Sequence, residues 1–100
     1  MQPDAIAPTE VGETFLLDVR EADEWAAGHA PDAVHLPMSE IQQRLAEVPT
    51  DVPVAVVCRV GGRSGQVVAW LRQQGYDATN VDGGMLTWQR LGLPVEGVIV

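Results

Sequence analysis

The apolar positions of this chain fall into two alternating patterns, short continuous runs and stripes at helical spacing. The clearest run is Val54, Ala55, Val56 and Val57, apolar throughout and rich in β-branched residues, as expected of a strand covered on both faces in a parallel sheet. Phe15 to Val19 and Ala78 to Val81 are further strand candidates, with shorter ones at Ala33 to Leu36 and Ala5-Ile6. Stripes lie between them. Val67, Val68 and Leu71 predict a helix that opens near Ser64 and stops at Gly75, and Met85, Trp88 and Leu91 predict another closed by Gly92 and Pro94. Glu21 to Ala27 reads as an acid-rich helix start closed by Gly28, with a loop from Gly28 to Asp32. Ser39 is placed to cap a helix whose stripe is Ile41, Leu45 and Val48, with Gln42 reaching back and Pro49 ending it. Near the start, Pro8-Thr9 begins a helical turn that Gly12 cuts off. Strands alternating with helices predict an α/β fold, with a mostly parallel sheet, helices on both faces and right-handed crossovers.

Composition narrows the class of protein. A length of 100 residues fits one domain, 1–100, with 46% apolar and 20% charged residues, long enough for one core without disulfides or a metal. No 18-residue apolar run could span a membrane. The opening MQPDAIAPTE lacks both a basic segment and an apolar core, so it does not read as a secretory signal. One cysteine makes no internal disulfide, which points to a reducing, cytoplasmic setting. Fourteen acidic against six basic side chains give a formal charge of −8, which argues against nucleic acid and anionic membrane surfaces as partners.

Against that acidic background, the stretch Cys58-Arg59-Val60-Gly61-Gly62-Arg63-Ser64 stands out. It holds the only cysteine and two of the six basic residues. It also joins the end of the predicted central strand to a helix, the edge at which open α/β sheets bind ligands. A thiolate there faces the positive end of a helix dipole. Gly61 and Gly62, lacking a Cβ, are expected to take left-handed conformations that turn successive amides toward one centre. A free cysteine has a pKa of ~8.5, and each unit of depression needs ~1.4 kcal/mol of preference for the thiolate. A helix N-terminus contributes ~0.3–1 kcal/mol and each hydrogen bond to a charged group ~1.5–3 kcal/mol, so two or three such interactions ionise Cys58 near neutrality. Free cysteine is often a small buried hydrophobe, but arginines, glycines and serine are poor company for an apolar thiol.

Other candidates carry less. The chain has no lysine, which excludes a Walker-type phosphate loop, and its glycines do not match a dinucleotide fingerprint. His29 and His35 with one sulfur donor do not make a structural zinc site, and His29 is better explained as fixing its loop by hydrogen bonding. Asp18 and Arg20 end a strand at the same sheet edge as Cys58 and read first as a structural ion pair. Met85 and Trp88 read as core.

Four stretches in order, LLDVRE (Leu16 to Glu21), GHAPDAVHLP (Gly28 to Pro37), CRVGGRS (Cys58 to Ser64) and DGGMLTWQRLGLPV (Asp82 to Val95), resemble the signatures of single-domain rhodanese-like sulfurtransferases. The resemblance covers nearly the whole chain; the first helix is shorter than is usual in that family, and Glu96 to Val100 lies outside the motifs. It implies a five-stranded parallel sheet and a catalytic Cys58 that takes the outer sulfur of a donor such as thiosulfate and passes it from a persulfide to cyanide, a thiol or a thioredoxin-like protein. The backbone N–H groups of Arg59, Val60, Gly61, Gly62, Arg63 and Ser64 would hold the anion, and Arg59 or Arg63 would bind the anionic end of the donor, Arg63 being slightly favoured. No cofactor or metal is implied. Two rivals remain: a cysteine-dependent phosphatase or arsenate reductase, which places five residues between cysteine and arginine where this chain has four, and a non-catalytic binding module, which commonly lacks the cysteine.

Overall fold

The computed structural model describes residues 5–100; residues 1–4, included in the predicted domain, lie outside it. Five strands, β1 (Ala5–Ile6), β2 (Phe15–Asp18), β4 (Val34–His35), β5 (Val54–Val57) and β6 (Ala78–Val81), form one sheet in the order β1-β6-β5-β2-β4. Every pairing in it is parallel, with Asp18 beside Val57 and His35 beside Asp18 at its C-terminal edge. Two further strands, β3 (Gly28–His29) and β7 (Glu96–Gly97), pair antiparallel as a separate ribbon.

The continuous apolar runs are explained by the two cores they serve. On β5, Val54 and Val56 face one core with Val67, Val68 and Leu71 of α2 (Gly62–Gln73). Ala55 and Val57 face the other, with Met85 and Trp88 of α3 (Gly84–Arg90). On β2, Leu17 and Leu16 divide the same way. A strand buried on both faces has no polar side to alternate with.

Several expectations shift. The helix α2 starts at Gly62, two residues earlier than predicted, and α1 spans Ala22–Ala27. The predicted helix over Ser39 to Val48 is instead two separate 3-10 turns, Met38–Glu40 and Leu45–Glu47. Ile41 and Val48 are buried as the stripe predicted. Ser39, however, caps nothing: its hydroxyl donates to Glu21 Oε1 at 3.2 Å. Arg44 holds both turns from outside through Glu40 and Glu47. The stretch from Gly28 to Asp32 is not all loop, because Gly28 and His29 pair with Gly97 and Glu96 of the tail. That tail ends with Ile99 buried in the α3 core.

Candidate active site

β5 delivers Cys58 to the C-terminal edge of the sheet, where it is buried. The backbone beyond it is held from one side by α3. The Cys58 carbonyl accepts the Met85 N–H at 2.8 Å and the Arg59 carbonyl accepts the Leu86 N–H at 3.1 Å. This approach requires Gly84, whose φ is +61° and whose added Cβ would come within 2.5 Å of both carbonyl oxygens. With its carbonyls turned toward α3, the loop leaves N–H groups for the sulfur.

The Gly61 N–H donates to Cys58 Sγ at 3.1 Å, and the Ser64 hydroxyl lies 3.2 Å from it. Of the two loop glycines only Gly61 has a positive φ, 113°, at the N-cap of α2. Gly62 is already helical, which corrects the expectation that both take left-handed conformations. The nest needs one reversal because the helix itself aligns the N–H groups that follow. Burial pushes the Cys58 thiol up, but the Ser64 hydroxyl and the N–H groups of Ser64, Gly61 and Val60 outweigh it, and the net shift is down.

Asn80 on β6 completes this arrangement and was not singled out from the sequence. Its Nδ2 donates to the Gly61 carbonyl at 3.0 Å and its Oδ1 lies 2.5 Å from Ser64 Oγ. A hydroxyl has one hydrogen, so Ser64 gives it either to Asn80 or to sulfur, and ionisation of Cys58 makes sulfur the stronger acceptor. The available signal was a polar amide in a strand whose two ends, Ala78 and Val81, belong to the cores.

The two arginines diverge from the cradle. Arg63 stands in the first turn of α2 rather than ahead of it, and binds Glu24 through two contacts of 2.6 and 2.8 Å. That pair holds the Glu24 carboxyl down at about 2. Exposed Arg59 reaches the other way, its Nε donating to the Val100 carbonyl at 2.9 Å. Glu24 is the second residue the sequence did not reveal. Val60 is exposed and contributes only backbone.

The remaining candidates are structural. Arg20 and Asp18 form a fully buried ion pair at 2.8 Å, and Arg20 also donates to the Gly28 carbonyl at 2.7 Å. His29 donates from Nδ1 to the Ala30 carbonyl, and both histidines stack with Trp25. Met85 and Trp88 are buried in the α3 core. Among the described residues, no group of three or more His, Cys, Asp and Glu side chains could share a metal ion, and no helix is long and apolar enough to cross a membrane.

Comparison with known proteins bears on the family and the fold. The rhodanese-like domain family matches residues 2–91. A sulfurtransferase of Allochromatium vinosum is 45% identical over 91 residues, covering 90% of this chain and 83% of its own. The fold matches a rhodanese-related protein of Thermoplasma volcanium with a TM-score of 0.88 at 31% identity, covering 94% of this chain and 98% of that one. It also matches part of an NAD-dependent persulfide reductase of A. fulgidus, with a TM-score of 0.75 at 32% identity over 85% of this chain and 16% of that one. Sulfur transfer is the general chemistry that these relatives support. By its motifs, its sheet and these matches, the chain belongs to the rhodanese-like domain family.

Proposed function

We propose that the protein moves a sulfane sulfur from a small anionic donor, thiosulfate or a persulfide, to a thiophilic acceptor by way of a persulfide on Cys58. The observation that carries this is the donor set around one buried sulfur: the Gly61 N–H at 3.1 Å and the Ser64 hydroxyl at 3.2 Å, with the thiol shifted toward its anion. In the first half-reaction the Cys58 thiolate attacks the outer sulfur of thiosulfate. A sulfur–sulfur bond forms, the bond to the sulfonate sulfur breaks, and its electron pair leaves with sulfite. In the second, cyanide or a thiolate attacks the terminal sulfur of the persulfide, and the Cys58 thiolate leaves. The N–H groups from Arg59 through Ser64 stabilise the charge at either sulfur. Neither step needs a cofactor or metal.

A thioredoxin-like or other redox protein suits the role of acceptor, since related domains occur inside larger redox enzymes such as the persulfide reductase above. One domain in a reducing, cytoplasmic compartment suits a working thiol. The phosphatase reading is disfavoured by the four-residue spacing and by Arg63, whose guanidinium is taken up by Glu24. The test is intact mass after incubation with thiosulfate. The protein should gain the mass of one sulfur atom and lose it to cyanide; a Cys58→Ser variant that still gained it would overturn the assignment.

A further inference from the structure

The loop carries two of the six basic residues of a chain with formal charge −8, yet neither guanidinium is presented freely over the sulfur. Arg59 is drawn to Val100, and Arg63 is held two-handed by Glu24. Glu24 is itself fixed before it meets Arg63. Its Oε1 accepts the Glu21 N–H at 3.0 Å, a reciprocal cap on the first turn of α1, and its carbonyl accepts the Gly28 N–H at the end of that helix. The Glu24 side chain is 17% exposed against 35% for Arg63. The pair thus lies at the protein boundary, where one charge uncompensated by the other acts on an approaching reagent through a path that solvent and salt screen only in part. Arg63 is close enough to Cys58 for the two charges to act on each other, with Glu21 a further acid nearby.

We infer that Glu24 is a positioning residue that sets the charge selectivity of Cys58: by holding Arg63 in a bidentate pair, it cancels local positive charge and turns the site from dianionic thiosulfate toward singly charged persulfides. This rests on Cys58 being the sulfur-carrying nucleophile. Removal of either partner has opposite consequences. Without the Glu24 charge, Arg63 is left as a net cation at the rim of the loop; without Arg63, the carboxylate is left as a net anion there. Removing both returns the mouth close to neutrality.

The test uses alkylation, which needs only a reactive thiol and not sulfur transfer. The thiolate displaces iodide from iodoacetate, an anion, or from iodoacetamide, which is neutral, forming one carbon–sulfur bond in each case. The ratio of the two rate constants at one pH cancels the thiolate fraction and reports charge selection alone. The iodoacetate-to-iodoacetamide ratio should rise about two- to fivefold in Glu24→Gln and fall by a similar factor in Arg63→Gln. It should return near the native value in the double variant, and the single-variant shifts should shrink with added salt. A merely structural role for Glu24 would not move the two singles in opposite directions. Shifts of the same sign, or no shift in either variant, overturn the inference. If Glu24→Gln fails to fold, Glu24→Ala replaces it, and anything but a rise there with a fall in Arg63→Gln counts against the inference. In sulfur transfer, Glu24→Gln should lower KM for thiosulfate more than for a persulfide donor. The predicted alkylation ratios without sulfur transfer in the native protein would sustain the charge effect and sink the reading of function instead.

Discussion

The floor and the rim of the Cys58 loop are built on different principles. The floor consists of backbone N–H groups, a buried serine and an amide from the next strand, with carbonyls lashed to α3 through a glycine. The rim consists of the long side chains of Arg59 and Arg63, whose partners lie 41 and 39 residues away. The backbone donors of the floor stay the same whatever side chains surround them, whereas a rim made from long charged side chains can be retuned by one substitution. The difference separates the capacity to hold an anionic sulfur from the choice of what delivers it.

The sharpest break is at the sulfur itself. Cys58→Ser leaves floor and rim in place and should lower sulfur transfer by about a thousandfold or more, since loss of a nucleophile collapses the whole covalent pathway. Steady-state rates with thiosulfate and cyanide test it, and residual turnover near the native rate would count against the covalent route.

The floor should also be brittle where backbone meets backbone. An alanine at Gly84 combines a φ of +61° with a Cβ 2.5 Å from two carbonyl oxygens of the loop. Gly84→Ala should cost about 3 kcal/mol in urea unfolding. Gly62 is the control, because a Cβ there meets nothing within 4 Å and its φ is not positive. Gly62→Ala should stabilise the fold by about 0.5 kcal/mol. Similar losses at both glycines would mean that the close approach of α3 to the loop does not govern the floor.

Within the floor, Ser64→Ala removes the hydroxyl at 3.2 Å from sulfur while leaving its N–H in place. A hydrogen bond to a charged group is worth about 1.5–3 kcal/mol, so the thiolate pKa should rise. Iodoacetamide rates followed against pH should show the midpoint move upward. The sign for stability follows. The folded thiol lies below its unfolded value, so Cys58 contributes stability that is fully present above the unfolded pKa and lost as pH falls through the folded one. Ser64→Ala should shrink that contribution, and an unmoved midpoint would assign the shift to the N–H groups alone.

The floor was largely legible in the sequence and the rim was not. The run Val54 to Val57, the stripe Val67, Val68 and Leu71, and the glycines between them are local patterns, and they located Cys58 at a strand end beside a helix start. The pairing of Arg63 with Glu24 joins residues 39 positions apart, and nothing local marks either as the partner of the other. Asn80 left a fainter local trace, one amide in Ala78 to Val81, whose meaning appears only once β6 pairs with β5. The stripe Ile41, Leu45 and Val48 recorded burial correctly but not helicity, because the same spacing serves two short turns pinned by their apolar residues.

The smallest effect should come from Arg59. Its Nε donates to the Val100 carbonyl from an exposed position, where water competes for both groups. The tail does not depend on it. Gly97 and Glu96 pair with Gly28 and His29, the Val98 N–H donates to the Ala27 carbonyl at 2.8 Å, and Ile99 is buried in the α3 core. Arg59→Ala should therefore cost under about 1 kcal/mol in urea unfolding, whereas Ile99→Ala should cost about 2 kcal/mol. In sulfur transfer, the loss of one exposed charge should lower kcat/KM for thiosulfate by about twofold at low salt and by less above ~0.1 M, where the Debye length is about 10 Å. A loss that exceeds tenfold and ignores salt would move Arg59 from the rim to the floor, as a residue that shapes the loop through its anchored side chain.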